Sequence, residues 1–408
     1  MKRIAILTAG TLPVPPVKGG AVENLIQLLI NENENNTKVE LNIFSVFNKD
    51  AVVQSKNYGH TNFIFIKIPF FIKILDYLTY IWFTKVLQKK KKMSYRSIFS
   101  RLYYIFLTGL ILHKNNYSNV ILENHATLYL CIKLFNNYKK YYGKYVYHIH
   151  NEFSGFYGCL KEIKNTAIII GVSNYVVDRV KKQVNGFSEH TKFFVLKNKI
   201  DREKFLSNVN ENKEKELRKK LNVKTDTQIV LFTGRMNREK GIDILIKAWN
   251  LLELSNSVLL IVGSYYFNSS IKNSKYQYEL NSLIKKSKNI RFTGYISYEE
   301  MPNVYALADL VVLPSMWDDP APLTVIESLT MGKPLITTYS GGIPEYANSG
   351  NSILLERNDF IINNLAIAID KVFNNKELRD NLRKNALESS ADWTSAKYFD
   401  NFLFILNN

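Results

Sequence analysis

PSMWDDPAPLTVIESLTM, residues 314–331, directly follows the apolar run Leu310–Leu313. A short continuous apolar run predicts a buried strand, and the turn rich in Pro, Asp and Ser ends that strand. Beyond the turn, apolar residues recur every three positions, which predicts a helix with one buried stripe: Leu323, Ile326 and Leu329. Pro322 suits the first turn of this helix, where its missing N–H costs nothing. The segment therefore predicts a strand, a tight turn and a helix.

Two acidic residues flank the start of this helix. Asp319 comes just before it, and Glu327 lies one to two turns inside it. A helix N-terminus offers free backbone N–H groups, here from Leu323 and Thr324 rather than Pro322, and these suit a phosphate. Carboxylates accept hydrogen bonds from sugar hydroxyls. The segment thus predicts a nucleotide-sugar site; the alternative is that Asp319 only caps the helix and Glu327 is solvated.

The second half of the chain shows the same strand–glycine–helix pattern earlier. The strand Gln228–Thr233 is followed by Gly234 and by two cations, Arg235 and Lys240, before the helix Ile242–Leu252. Between a strand end and a helix start, an arginine fork and a lysine point charge can together hold a diphosphate. The alternative is a pair of solvated loop cations. The repeated pattern itself supports an α/β fold.

The first half opens on a similar unit. The strand Lys2–Thr8 leads through a proline-rich loop to Gly19-Gly20 and the helix Ala21–Ile30, which brings backbone close to a phosphate or sugar. This unit lacks the GxGxxG spacing of dinucleotide-binding proteins, which argues against a dehydrogenase. A further helix is predicted over Leu128–Tyr141.

Histidines end two predicted strands of the first half. His150 ends the strand Lys144–His150, at the edge where open α/β sheets bind ligands. His148 lies two positions earlier on the same side, and His125, near the end of the strand Asn119–Glu123, is a weaker candidate. The alternative is that each histidine is structural. The six histidines include no pair at the spacing of a zinc site, so we predict no metal. No cofactor is predicted either.

Composition allows two domains with a large core, since the chain has 408 residues and is 46% hydrophobic. Its two cysteines indicate no disulfide framework and fit a reducing cytoplasm. Residues 1–200 carry 28 Lys and Arg against 11 Asp and Glu, a balance of +17, whereas residues 201–408 carry 26 against 25, a balance of +1. This asymmetry predicts an anionic partner for the first half.

Basic and aromatic residues are interleaved over residues 69–112, with a run of lysines at Lys89–Lys92. Charged residues interrupt the region, so it lacks the ~20 apolar residues of a membrane span. Basic side chains among aromatics instead suit a helix lying on an anionic membrane surface. The alternative is a solvated charge run beside ordinary core aromatics. Nucleic acid is not a predicted partner, because no binding motif accompanies the charge.

The acidic pair Asp319 and Glu327, with seven residues between, resembles that of retaining glycosyltransferases of family 4. That family has the GT-B fold, two Rossmann-like domains facing a cleft, and its spore-coat and capsule-type bacterial members are the most similar. The pair Arg235 and Lys240 resembles its donor-phosphate pair. The family usually has Glu in place of Asp319, and Phe-Gly in place of Ala321-Pro322.

The resemblance implies two domains. Residues 1–200 would bind the acceptor, with the basic aromatic region 69–112 facing a membrane, and a terminal helix over residues 393–408 would cross back to this domain. Residues 201–392 would bind the donor.

The resemblance also implies roles for single residues. The donor-binding positions are Gly19, Gly20, Arg235, Lys240, Tyr295, Ile296, Asp319, Pro322, Leu323, Thr324 and Glu327. Glu327 would hold the ribose, and the backbone at Tyr295 and Ile296 the base. The positions implied in catalysis are His150, Asp319, Arg235 and Lys240.

The implied reaction moves a sugar from a nucleoside-diphosphate sugar to a hydroxyl of a glycan or lipid-linked acceptor in cell-surface polysaccharide synthesis, with retention and without a metal. The implied location is cytoplasmic, peripheral on the inner face of the plasma membrane. Two alternatives remain: a non-catalytic GT-B module that binds a glycan or nucleotide, and a membrane-peripheral scaffold of a polysaccharide complex.

Overall fold

A computed structural model describes residues 1–86, 96–254, 256–263, 275–287 and 289–408. The chain forms two compact units. Unit 1 comprises Met1–Lys197 and Tyr398–Asn408, and unit 2 comprises Asn198–Lys397. For comparison, the sequence placed the change of domain near residue 200 and the return at residue 393.

Unit 1 is built on a seven-stranded sheet in which every described pairing is parallel, in the order β3-β2-β1-β4-β5-β6-β7. Its strands are β1 (Arg3–Leu7), β2 (Glu40–Val46), β3 (Thr61–Ile66), β4 (Asn119–Glu123), β5 (Tyr145–Ile149), β6 (Ile168–Gly171) and β7 (Lys192–Val195). In the register between β4 and β5, Glu123 lies opposite His148. This pairing brings the carboxyl ends of two central strands together.

Parallel strands need crossover connections, and most helices of unit 1 lie in these connections. They are α1 (Ala21–Asn35), α2 (Lys49–Ser55), α3 (Phe70–Ile81), α4 (Ile98–Lys114), α5 (Tyr129–Lys133), α6 (Asn137–Lys140), α7 (Leu160–Lys164), α8 (Asn174–Gln183) and the terminal α17 (Ser395–Asn407). The terminal helix returns to unit 1, where Lys38 pairs with Asp400 at 2.7 Å.

Unit 2 has a second parallel sheet, in the order β10-β9-β8-β11-β12-β13. Its strands are β8 (Gln228–Thr233), β9 (Ser257–Val262), β10 (Ile290–Gly294), β11 (Leu310–Leu313), β12 (Leu335–Thr338) and β13 (Ile353–Leu355). Its helices are α9 (Arg202–Ser207), α10 (Glu211–Leu221), α11 (Ile242–Trp249), α12 (Lys275–Lys286), α13 (Met301–Leu307), α14 (Leu323–Thr330), α15 (Ile361–Asn374) and α16 (Lys376–Ser389). The predicted α/β class with two Rossmann-like domains is confirmed.

Two predicted helices need correction. The helix predicted over Leu128–Tyr141 is broken, because Phe135 and Asn136 adopt positive φ angles of 54° and 60° and separate α5 from α6. In α14, the predicted buried stripe fails at Leu323, which is partly exposed, whereas the helix is buried continuously from Val325 to Thr330.

The basic aromatic region of residues 69–112 contains α3 and α4, and α3 continues into a π-helical turn over Trp82–Val86. The predicted lysine run Lys89–Lys92 lies outside the described residues. Within the described ranges, no helix is both long enough and apolar enough to cross a membrane.

Candidate functional site

A small, partly open pocket lies at the carboxyl edge of the unit 2 sheet, beside β8 and β11. It is lined by Phe232, Thr233, Lys240, Leu313, Ser315, Asp319, Pro322, Thr324, Val325 and Ile343. Parallel α/β sheets bind ligands at this edge. The pocket therefore gathers residues from both motifs that the sequence singled out in the second half.

Close backbone contacts hold the loops of this pocket. Gly241 starts α11 with φ of 69°, and a Cβ there would meet the carbonyl oxygen of Pro314 at 1.9 Å. A Cβ at Gly341 would meet the carbonyl oxygen of Asp319 at 2.4 Å. Only glycine fits at either position, so the loop bearing Asp319 can approach closely both the loop bearing Lys240 and the loop that follows β12.

Lys240 and Asp319 form an ion pair in this pocket, with Nζ donating to Oδ2. The Asp319 side chain is 7% exposed and that of Lys240 22%. Each charge is thus largely removed from water and neutralised by the other. The sequence assigned these residues to different parts of one ligand, and the structure shows that they contact each other directly.

Arg235 is placed differently from Lys240. Its side chain is about half exposed, and Nη2 lies 3.5 Å from Glu239 Oε2. The described residues that line the pocket include Lys240 but not Arg235. The predicted pair of cations is therefore not assembled around one cavity.

Glu327 is buried in the second turn of α14, which rules out the solvated alternative. Tyr305 Oη donates to Glu327 Oε2 at 2.8 Å and also lies 3.0 Å from Thr233 Oγ1. Burial raises the pKa of Glu327 to about 7, and the hydrogen bond from Tyr305 opposes that rise. The sequence did not identify Tyr305 or Thr233, because nothing in their spacing indicates that they contact Glu327.

The helix start differs by one residue from the prediction. Pro322 is the N-cap of α14 with an extended backbone (φ −71°, ψ 123°), and the helix begins at Leu323. No side chain caps this end, so the N–H groups of the first turn lack a side-chain partner there. Pro322 and Thr324 line the pocket, whereas Leu323 is not among the lining residues that the structure describes.

Tyr295 and Ile296 follow β10, the edge strand of the unit 2 sheet. Tyr295 is exposed and Ile296 partly exposed. Neither is among the described lining residues of the pocket, which lies two strands away at β8. Their predicted role toward a base stays a prediction.

In unit 1, His150 belongs to a buried network at the ends of β4 and β5. Glu123 Oε2 lies 3.1 Å from His148 Nδ1 and 3.2 Å from His150 Nε2, and the two imidazole rings are 4.3 Å apart. Donor atoms of the three residues all lie within 4.8 Å of one another, near enough to share a metal ion. The 3.1–3.2 Å distances between Glu123 and the two histidines are also hydrogen-bond distances. We interpret the cluster as a hydrogen-bonded network.

The charges of this network follow from its burial. Burial alone would raise the pKa of Glu123, but the two imidazoles outweigh it and lower that pKa to about 2. Burial lowers the pKa of His150 to about 4, and His148 adds to this shift. At neutral pH, Glu123 is therefore ionised and His150 is neutral. The sequence missed Glu123, although its place opposite His148 follows from the strand register.

Gly20 is the N-cap of α1, and the carboxyl of Glu23 lies against it. Gly20 has φ of 118°, and a Cβ there would meet Glu23 Oε2 at 2.1 Å. Burial raises the pKa of Glu23 to about 7, with a smaller contribution from Glu123. The Glu23 carboxyl thus lies directly beside Gly20. The predicted contact of Gly19 and Gly20 with a donor stays a prediction.

Comparison with known proteins finds a family match within the second unit. Residues 213–389 match the family model described as "Glycosyl transferases group 1". The matched segment contains the Lys240–Asp319 pair, Glu327 and all the described residues that line the pocket.

Similar proteins agree with this family match. The chain is 31% identical over 174 residues to the putative glycosyltransferase YtcC of Bacillus subtilis, covering 42% of each chain. It is 26% identical over 246 residues to Spore coat protein SA of Bacillus subtilis, covering 57% of this chain and 63% of that protein. A lipopolysaccharide 1,2-N-acetylglucosaminetransferase of Salmonella typhimurium is 29% identical over 194 residues, 46% of this chain and 49% of the relative. The match to YtcC and that to the Salmonella enzyme each span about half or less of the relative's length.

Solved structures show the fold of the whole chain. Anabaena Alr3699/HepE in complex with UDP and glucose matches with a TM-score of 0.72 at 18% identity, covering 100% of both chains. A glycosyltransferase from Rickettsia africae matches with a TM-score of 0.74 at 19% identity, covering 100% of this chain and 98% of the other. Both units therefore have the architecture of these two-domain GT-B proteins.

Proposed function

We propose that the protein transfers a sugar from a nucleoside-diphosphate sugar to a hydroxyl of a glycan, as a retaining glycosyltransferase of family 4. The observation that carries this proposal is the Lys240–Asp319 pair in the matched segment, with Glu327 in the helix that follows. A phosphate-binding cation and two acids at one strand edge fit the two ends of such a donor. The Anabaena relative that holds UDP and glucose agrees with this chemistry.

Lys240 would bind the donor diphosphate by exchanging an Asp319 oxygen for a phosphate oxygen. The N–H groups at the very start of α14, which no side chain caps, would add hydrogen bonds to the same group. The exchange frees the Asp319 carboxylate, which would then accept hydrogen bonds from the transferred sugar. In the ion pair, the two largely buried charges compensate each other until a bound donor replaces Asp319 as the partner of Lys240.

In the proposed reaction, the bond from the anomeric carbon to the diphosphate oxygen breaks, and a bond to the acceptor oxygen forms on the same face. The acceptor proton passes to an oxygen of the leaving diphosphate. Lys240 would neutralise the charge that develops on the diphosphate. Arg235 would contribute as well, after its pair with Glu239 breaks. This electrostatic role is the reason that we propose a metal-independent enzyme.

Glu327 would accept the ribose hydroxyls of the donor, held in place by Tyr305. His150, neutral at physiological pH and fixed by Glu123, would contact the transferred sugar or the acceptor hydroxyl. Each of these groups is oriented by a buried partner, which preorganises the site for a ligand.

The membrane is the proposed partner of unit 1, because α3 is arranged the opposite way from a helix of a soluble protein. Its buried residue is Asp76, whereas six large apolar residues are exposed: Phe70, Phe71, Ile74, Leu75, Tyr77 and Leu78. An exposed apolar face beside basic residues suits the interface of an anionic membrane. We therefore propose a peripheral protein of the inner membrane face with a lipid-linked acceptor in polysaccharide synthesis, such as capsule.

Two alternatives rest on specific observations. The closed Lys240–Asp319 pair, together with Ala321-Pro322, favours a GT-B module that binds a glycan or nucleotide without turnover. The exposed face of α3 favours a peripheral scaffold of a polysaccharide complex. Neither alternative releases a nucleoside diphosphate.

The test is an assay of nucleoside diphosphate release from UDP-, GDP-, dTDP- and ADP-sugars, with EDTA and with added Mg²⁺. Slow hydrolysis of one donor in EDTA, accelerated by a suitable glycan, would support a metal-independent transferase. A donor that stabilises the protein against heat but is never cleaved would favour the binding module. No response to any donor would favour the scaffold.

A further inference from the structure

Arg101 lies in the first turn of α4, and its guanidinium is largely buried in unit 1. Nε and Nη2 donate to Thr127 Oγ1 at 3.1 and 2.7 Å. Nη1 is shielded from solvent and has no hydrogen-bond partner. Among the described residues, no carboxylate forms an ion pair with Arg101. Its positive charge is therefore uncompensated.

The groups around the guanidinium supply no negative charge. The hydroxyl of Thr127 also lies 2.9 Å from His125 Nδ1. Burial and the nearby Arg101 charge lower the pKa of His125 to about 4, so this imidazole is neutral at physiological pH. The remaining titratable neighbours are three phenols and a thiol: Tyr104, Cys131, Tyr157 and Tyr147. A structural arginine in such a place would normally recover its lost hydration from a carboxylate.

The position of Arg101 relates it to the exposed apolar face of α3. Asp76 of α3 accepts hydrogen bonds from the N–H groups of Phe99 and Ser100, at 2.8 and 3.0 Å, and so joins α3 to the start of α4. Leu102, the residue after Arg101, is exposed. A buried cation thus lies in the first turn of α4, which Asp76 joins to α3, and both helices carry exposed apolar residues. An amphiphile with an anionic head and an apolar chain would complement these groups.

We infer that Arg101 binds the phosphate of a lipid diphosphate, the anionic part of the proposed acceptor. The free Nη1 and the exchangeable Nη2 would form the two-point contact that a guanidinium makes with phosphate oxygens. The apolar chain would lie against α3. This inference rests on the proposed function, because it names the group by which the acceptor is held.

The test measures binding of farnesyl diphosphate by calorimetry, with saturating UDP present to occupy the diphosphate site of unit 2. Arg101→Gln should weaken binding by roughly ten- to hundredfold, the loss expected for charge-assisted hydrogen bonds. Arg101→Lys should recover only part of the affinity, since an ammonium lacks the fork. The matched control is Arg3→Gln, an arginine of unit 1 paired with Glu40 at 3.0 Å. It should bind as the wild type does.

Farnesol and inorganic diphosphate test the two parts of farnesyl diphosphate, its apolar chain and its diphosphate, one at a time. Both should bind more weakly than farnesyl diphosphate, and only inorganic diphosphate should depend on Arg101. If inorganic diphosphate binds as tightly as the lipid, the lipid assignment is overturned. Unchanged farnesyl diphosphate binding by Arg101→Gln overturns the site itself.

A stability measurement distinguishes an Arg101 that binds a ligand from an Arg101 that only stabilises the fold. Without ligand, Arg101→Gln should melt at the same temperature as the wild type or higher, because an uncompensated buried charge is removed. A markedly lower melting temperature would make Arg101 structural and overturn the inference. The proposed transferase is tested separately by donor cleavage: Arg101-dependent lipid binding without cleavage of any donor would contradict the reaction but leave this site intact.

Discussion

At the scale of single residues, Lys240 has two partners at different times. In the structure it neutralises Asp319, and in the proposed reaction it neutralises the leaving diphosphate. Replacing a residue with both roles should change the free energy of unfolding as well as the rate of donor cleavage. Removing one member of a largely buried ion pair leaves the other charge unpaired, which is commonly worth a few kcal/mol.

Lys240→Ala should therefore lower the rate of donor cleavage by roughly 10²–10³-fold, the usual effect of removing one group that stabilises developing charge. It should also lower the free energy of unfolding. Rates under saturating donor and urea unfolding curves measure the two effects. Lys247→Ala is the matched control, because Lys247 is a lysine of the same unit whose side chain is 43% exposed and lies 3.8 Å from Asp243. Wild-type cleavage by folded Lys240→Ala would refute the assignment.

Tyr305→Phe isolates the orientation of Glu327. The variant removes the 2.8 Å hydrogen bond and leaves the ring in place. Because that bond lowers the pKa of Glu327, its loss should raise the pKa above about 7 and leave less ionised carboxylate for the ribose. Nucleotide binding should weaken by roughly tenfold, as for one hydrogen bond to a charged group, and recover as the pH is raised. A pH-independent loss would show that the phenol acts otherwise.

At the scale of elements, strands were more predictable than helices and contacts. β4, β8 and β11 have the bounds that their apolar runs predict, because a strand buried on both faces needs an uninterrupted apolar sequence. The break at Phe135 and Asn136 left no such signal, since apolar periodicity does not report a left-handed turn. The sequence singled out Asp319, Glu327 and Lys240 from local motifs. The buried partner of Glu327, Tyr305, and the buried partner of His150, Glu123, come from distant segments and were not predicted.

Glu23 at the start of α1 gives the fold a pH dependence. Its pKa is raised from an ordinary 4.5 to about 7, so the folded state favours the protonated carboxyl. The stability that this preference supplies is complete below about pH 4.5 and is lost as the pH rises through 7. Glu23→Gln mimics the protonated form at every pH. Relative to wild type, it should gain up to roughly 3 kcal/mol in free energy of unfolding between pH 4.5 and 8.

Urea unfolding of both proteins across that range checks the prediction. The comparison must be made as a difference, because His150 acts in the opposite direction: its lowered pKa supplies stability above pH 6.5 that is lost toward pH 4. Glu211→Gln is the control, an exposed glutamate in the first turn of α10. A pH-independent difference for Glu23→Gln would mean that the carboxyl is not desolvated on folding.

At the scale of the whole molecule, charge and apolar exposure are both concentrated in the first half of the chain. The balance is +17 for residues 1–200 and +1 for residues 201–408. The exposed apolar face of α3 belongs to the same half. Charge would attract this half to an anionic surface at long range, and the apolar face would then insert. The two contributions differ in their response to salt, since only the first is screened.

Flotation with vesicles of phosphatidylglycerol and phosphatidylcholine should therefore recover the wild type at low salt and less of it as salt increases. Phe71→Ser with Leu78→Ser should reduce the partition coefficient by roughly 100-fold or more, given about 1.5–3 kcal/mol for each large apolar side chain buried. The loss should persist at every salt concentration, because charge is unchanged. Ile367→Ser removes an equally exposed residue of α15 in unit 2 and should leave binding intact. Equal losses for both variants would attribute binding to general hydrophobicity and contradict a defined membrane face.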